Sequence, residues 1–137
     1  MCMENLVRRL GRIISLKKTT NDLAQRRMDR LEKALDLWKK NKGWRKPVRT
    51  IGEAAESLGT DTGTLHCYFK ERVGMDFRTW RNRLRLEEAK RMLLERSDLQ
   101  AAEISRRVGF SDRSNFSREF LAYTGLTPGQ WRERGRE

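Results

Sequence analysis

The stretch DRSNFSREF, Asp112 to Phe120, sets two phenylalanines four residues apart among short and charged hydrogen-bonding side chains. On a helix Phe116 and Phe120 share one face, and the opposite face offers Arg113, Ser114, Asn115, Ser117 and Arg118. This is a set that can read base edges. Arg pairs bidentately with guanine, Asn with adenine, and a Ser hydroxyl reaches base or phosphate. Asp112, or Ser111 before it, is placed to cap the helix N-terminus. The residues taken alone leave a plainly solvated polar face as the alternative.

Other chemistries have little local support. His66 is the only histidine and stands next to Cys67; neighbouring helical side chains point about 100° apart. That is too few ligands for zinc, and no metal or cofactor is expected. No nucleophile motif, phosphate loop or paired-carboxylate signature is present, so the chain does not read as an enzyme. Cys2 and Cys67 in a basic chain read as reduced, cytosolic thiols.

The elements that must position these residues are almost all helical. No run approaches ~18 apolar residues, so no transmembrane helix is expected, and MCMENLVRRLGRIIS lacks the apolar region of a secretory signal. The 137 residues are 36% hydrophobic and 36% charged, and Leu, Trp and Phe are too frequent for wholesale disorder. Net charge is +12 with a pI near 10.5, which implies an anionic partner. Residues 1–50 carry 15 Lys+Arg against 5 Asp+Glu, and residues 51–137 carry 16 against 14. The excess therefore sits in the first third. An amphipathic helix is expected over 4–18, with Leu6, Leu10, Ile13 and Ile14 on one stripe. A stop and restart follows at KTTND (18–22). A second helix, Asp22 to about Asn41, carries Met28, Leu31, Leu35 and Trp38. NKGWRKP forms a basic connector.

From Thr50 the pattern becomes short helices divided by glycines, and it repeats. With a shift of 51, Asp61 falls on Asp112, Leu65 on Phe116, Phe69 on Phe120, Gly74 on Gly125 and Trp80 on Trp131; upstream, a shift of 50 places Gly59 on Gly109. The first copy thus lacks one residue in its turn. A short helix, a tight turn and a longer helix, twice over, suggest two helix-turn-helix units. The second helices are expected at about 61–72 and 112–123, joined by a helix from about Asp76 to Arg96. Such a connector spans ~30 Å, close to the ~34–36 Å of one DNA turn. Two recognition helices so spaced could enter successive major grooves.

The segment AAEISRRVGFSDRSNFSREFLAYTGLTPGQWRERG resembles the C-terminal signature of the AraC/XylS family of bacterial transcription regulators, and RTWRNRLRLEEAKRMLLE resembles the family's linker helix. The resemblance covers about residues 50–134. It implies an all-α domain with two helix-turn-helix subdomains joined by a long linker helix, sequence-specific binding to double-stranded DNA, and control of transcription, often through RNA polymerase. It places Arg113, Ser114, Asn115, Ser117 and Arg118 against DNA. Transferred by the repeat, the first unit offers Thr62, Gly63, Thr64, His66 and Cys67, with no arginine and His66 as the only long donor. The second unit is therefore expected to carry most of the discrimination. Arg49, Arg78, Arg106, Arg107 and Arg132 lie near helix ends where phosphates could be gripped. Trp38, Trp44, Trp80 and Trp131 have core-type spacing.

The expected division is a basic N-terminal segment (1–46), a first helix-turn-helix subdomain with the linker helix (47–96) and a second subdomain (97–137). For residues 1–46 a linker, docking on a sensor domain or partner protein, a DNA-gripping arm and a membrane-surface helix are the readings, with a membrane ranked last. Two other classes stay open: a non-specific architectural nucleic-acid binder and a protein-interaction module. The expected setting is the cytoplasm, at the nucleoid.

Overall fold

The computed structural model describes residues 2–47 and 50–136. Among these the order is α1 (Cys2–Lys40), a 3-10 turn (Gly43–Arg45), α2 (Ile51–Ser57), α3 (Thr62–Tyr68) continued by a π-helical turn (Phe69–Val73), α4 (Phe77–Glu95), α5 (Ala101–Arg107), α6 (Arg113–Thr124) and α7 (Pro128–Arg134). The fold is all-α, with no strand among the described residues.

Two cores form around the two ends of α4. The first gathers Met28, Leu31 and Leu35 of α1, Ala54, Ala55 and Leu58 from α2 and its end, Leu65, Tyr68 and Phe69, and Phe77. The second gathers Leu86, Ala89, Met92 and Leu93 of α4 with Ile104, Val108, Phe110, Phe116, Phe120 and Trp44. Trp38 packs against both, stacking on Trp80 at 5.8 Å. Each fully buried side chain of this size contributes about 1.5–3 kcal/mol. Aromatic rings therefore hold both halves of the linker helix.

The repeat is a repeat of structure. Gly59 and Gly109 both take positive φ, 70° and 107°. Both close the turn with the same bond, Thr60 N–H to Ala55 O at 2.9 Å and Phe110 N–H to Ser105 O at 3.0 Å. Asp61 accepts from Thr64 N–H and Asp112 from Ser114 N–H. Ser111 is the extra residue of the second turn. Downstream, Asp76 caps α4 and Thr127 caps α7, again 51 apart.

One boundary differs from expectation. Residues 18–22 do not break the helix, and α1 runs unbroken for 39 residues, about 58 Å. The Thr19 and Thr20 hydroxyls donate to Ser15 O (2.9 Å) and Leu16 O (2.8 Å), four residues back. They satisfy themselves inside the helix and cap nothing.

The connector is held from below by Arg85. Its Nε donates to Trp44 O at 2.6 Å and its Nη2 to Lys46 O at 3.1 Å. Only 4% exposed, its guanidinium is pushed down to about 10, chiefly by burial and then by the charge of Arg81. Gly109 is packed on the same spot. A Cβ there would lie 2.8 Å from Arg45 O and from Arg85 Nε, so this turn admits glycine for space as well as for φ.

Candidate nucleic-acid interface

In the second unit, Phe116 and Phe120 are fully buried, Phe116 tilted against Phe110 and Phe120 edge-on to Trp131. With that face spent, Arg113, Ser114 and Arg118 are exposed and Asn115 and Ser117 half-buried. Among the described residues none of these three exposed side chains makes a hydrogen bond or ion pair. Asp112 orders the first turn, accepting Ser114 N–H at 2.8 Å, and the N-terminal turn of α6 stands open to solvent.

The first unit is built alike but dressed differently. Leu65 and Phe69 fill the equivalent core positions. Asp61 accepts both the Thr64 N–H and the Thr64 hydroxyl at 2.8 Å. These bonds, the backbone one foremost, hold its carboxyl below the ordinary carboxylate value, with Arg27 adding a smaller pull. The Thr64 hydroxyl is thereby occupied with the cap. Gly63, Thr64 and Cys67 line a groove of about 670 Å3 against Ala24, Gln25 and Arg27 of α1. Thr62 and His66 are not on that groove, and His66 is exposed.

Two candidates escape the repeat comparison. Lys70, exposed one turn beyond His66, is a second long donor on this helix, so His66 is not alone. The i, i+4 spacing from His66 was the available signal. Arg27 stands beside the cap of α3 because α1 packs on α3, a tertiary contact that spacing along the chain does not reveal. Arg72, by contrast, is turned inward. It pairs with Asp29 at 3.1 Å and Glu32 at 3.4 Å, tying α3 to α1.

The five arginines at helix ends separate by occupation. Arg78 is exposed. Arg106 and Arg107 share Glu103, at the surface, and Arg107 foremost holds that carboxyl below its usual value. Arg132 is committed elsewhere: Nε donates to Leu93 O (2.9 Å) and Nη2 to Arg96 O (3.0 Å) and Leu99 O (2.7 Å). It caps the C-terminus of α4 and has its forward donors filled. Arg49 lies outside the described residues. Among the described residues no group of three or more metal-ligating side chains occurs, and no helix is long and apolar enough to cross a membrane.

The sequence model described as "Helix-turn-helix domain" matches residues 54–134, both units and the helix between them. The chain belongs to the AraC-type helix-turn-helix family. Its relatives agree. It is 38% identical over 84 residues to the transcriptional activator NphR of a Rhodococcus species, covering 61% of this chain and 24% of that one. It is 32% identical over 82 residues to the arabinose operon regulatory protein of Escherichia coli K12, covering 60% and 28%. Among solved structures it resembles the C-terminal domain of AraT, a response regulator from Geobacillus stearothermophilus. That match has a TM-score of 0.67 and 27% identity, over 77% of this chain and 84% of that one. The chain spans about a quarter of the length of these curated relatives.

Proposed function

We propose that this protein is a sequence-specific double-stranded DNA-binding transcription regulator that inserts α3 and α6 into successive major grooves. The observation that carries this reading is the duplication itself. Two capped helices, each backed by a buried Phe and each with a polar outer face, stand one linker helix apart. The 19 residues of α4 span about 28 Å, within reach of the ~34–36 Å between successive major-groove faces.

Base readout is assigned mainly to Arg113, Ser114, Asn115, Ser117 and Arg118 of α6. Thr62, Gly63, Thr64, His66 and Cys67 of α3 form the weaker reader, joined by Lys70. Of these, His66 and Lys70 supply long donors, and the backbone at Gly63 allows close approach. Arg78, Arg106 and Arg107 are assigned to phosphates; Arg132 is left out because its donors are filled. The cytoplasm and its nucleoid are the setting this function requires. RNA polymerase, or a sensor reaching the chain through residues 1–46, are the protein partners it accommodates.

Selection of bound sequences from random duplexes at stated salt tests the proposal. The expected result is a site with two recognised half-sites about one helical turn apart, the half facing α6 being the better defined. Binding without sequence preference points to an architectural protein. No binding at physiological salt points to a protein-interaction module.

A further inference from the structure

The arginines of α1 follow a pattern that packing does not require. They form two copies of one motif, Arg8-Arg9-x-x-Arg12 and Arg26-Arg27-x-x-Arg30, set 18 residues apart. That interval is five whole turns of an α-helix, so the unbroken α1 stacks both triplets on one face, about 27 Å apart. At about 100° per residue, the six side chains share a sector about 100° wide. The five carboxylates of α1, Glu4, Asp22, Asp29, Glu32 and Asp36, all lie outside it. Two of them, Asp29 and Glu32, are spent on Arg72. All six arginines are exposed, and among the described residues none makes a hydrogen bond or ion pair. By contrast Arg72, Arg91 and Arg107 are tied to carboxylates.

We infer, on the reading of α3 as a major-groove helix, that this stripe clamps the backbone of the same duplex, both triplets resting on phosphates. Placement favours that partner. Arg27 lines one groove with Asp61, Gly63 and Cys67, at the end of α3 that meets base edges. A major groove is about 12 Å wide and a helix with its side chains about 10–12 Å, so α3 fills it. A helix packed on the flank of α3 is thereby brought to the phosphate strand bordering the groove. The ~27 Å between triplets is less than the ~34–36 Å of one DNA turn, so both fit on one duplex. The stripe also supplies what α3 lacks. With no arginine of its own, α3 gains positioning contacts that carry no sequence information. A lipid surface would account for the first triplet only. Beside it Leu10 and Ile13 are exposed, but their counterparts 18 residues on, Met28 and Leu31, are buried in the first core and offer a membrane nothing.

Charge removal on and off the stripe tests this. Arg9→Gln with Arg12→Gln, and Arg27→Gln with Arg30→Gln, each take two positive charges from it. Lys17→Gln with Lys18→Gln takes two from the same arm but outside the sector. Binding of the full chain to a duplex recovered by selection is followed by fluorescence anisotropy as salt is raised. Each arginine pair is expected to lower the slope of log K against log salt by up to about 1.8, at ~0.9 per phosphate contact. The lysine pair is expected to leave the slope nearly unchanged. Base preference and Tm should hold in all three, because these side chains are exposed and bond nothing. An arginine pair that leaves the slope unchanged, with sequence-specific binding intact, overturns the clamp and leaves the regulator reading standing. A lysine pair that lowers the slope as much overturns it too, since bulk charge would then suffice. So does binding to phosphatidylserine vesicles that an arginine pair abolishes while its DNA slope stays unchanged. Wild-type binding without sequence preference sinks the regulator reading, whereas slopes that still fall only in the arginine pairs uphold the clamp.

Discussion

The two reader helices, α3 and α6, share a scaffold and differ in almost everything that faces out. Both start from a capping Asp, both bury a residue four positions in and a Phe four further on, and both end at a left-handed glycine. Yet α6 offers Arg113 and Arg118 where α3 offers Thr62 and Cys67. The helix α3 is also flanked by α1, so that Gly63, Thr64 and Cys67 line a groove, whereas among the described residues α6 has no such neighbour. The difference teaches that the buried half of a recognition helix and its exposed half are separately adjustable. Packing constrains the first through volume and cap geometry; the second is loosely held, by the Asp61 cap and α1 at Thr64 and its neighbours in α3.

The largest expected effect tests the shared half. Phe116→Ala should cost about 3–5 kcal/mol and Leu65→Ala about 2–5 kcal/mol in urea unfolding, each through a cavity in its own core. A cost below 1 kcal/mol at either site would break the equivalence of the two units. Next comes the unshared half. Arg118→Ala should weaken binding to a selected site by about 1–3 kcal/mol, while His66→Ala should weaken it less in the same titration. A larger loss for His66 reverses the assignment of the main reader.

Caps come third. Asp112→Ala should destabilise by about 1 kcal/mol, seen as a lower Tm, with the fold retained. At Asp61 the carboxyl sits below its ordinary value when folded, so its contribution is fully present above the unfolded value near ~3.9. It is lost as pH falls through the lower folded value. The Tm gap between wild type and Asp61→Asn should therefore close on acidification below about pH 4; a gap that widens would contradict the cap. The smallest effect is expected at Gly63→Ala. Its new Cβ would lie 3.2 Å from Asp61 Oδ1, the oxygen that accepts Thr64 N–H, so strain on the cap offsets the helix-propensity gain of about 0.8–1 kcal/mol and the net change in stability should be small. A drop in DNA affinity from the same change would show that α3 uses the glycine for close backbone approach.

Much of the fold was legible before any coordinate was seen, and for identifiable reasons. Phe116, Phe120, Leu65 and Phe69 declare their burial through i, i+4 spacing. Asp61 and Asp112 declare helix starts through their place ahead of it. The break expected at Thr19 and Thr20 failed because a threonine can either cap a helix or bond its own preceding turn, and spacing does not choose between them. Arg132 looked like a phosphate ligand because its type and its place near a helix end fit one. Its partners Leu93 O, Arg96 O and Leu99 O are 33 to 39 residues away in the chain.

What the sequence by itself determined is therefore mostly local: the helix spans from Thr50 onward, their caps, the buried face of each helix, the duplication and the basic charge. These follow from interactions within about four residues, whose geometry the helix repeat dictates. Only the tertiary structure decided which arginines remain free, that Trp44 belongs to the second core, and that α1 lies beside α3. The burial of Arg85 against Trp44 O and Lys46 O was decided there too. Those outcomes depend on which carbonyls and side chains meet across some 40 residues of chain, for example the 41 between Arg85 and Trp44. A buried donor must find an acceptor somewhere, and only the packed chain settles where.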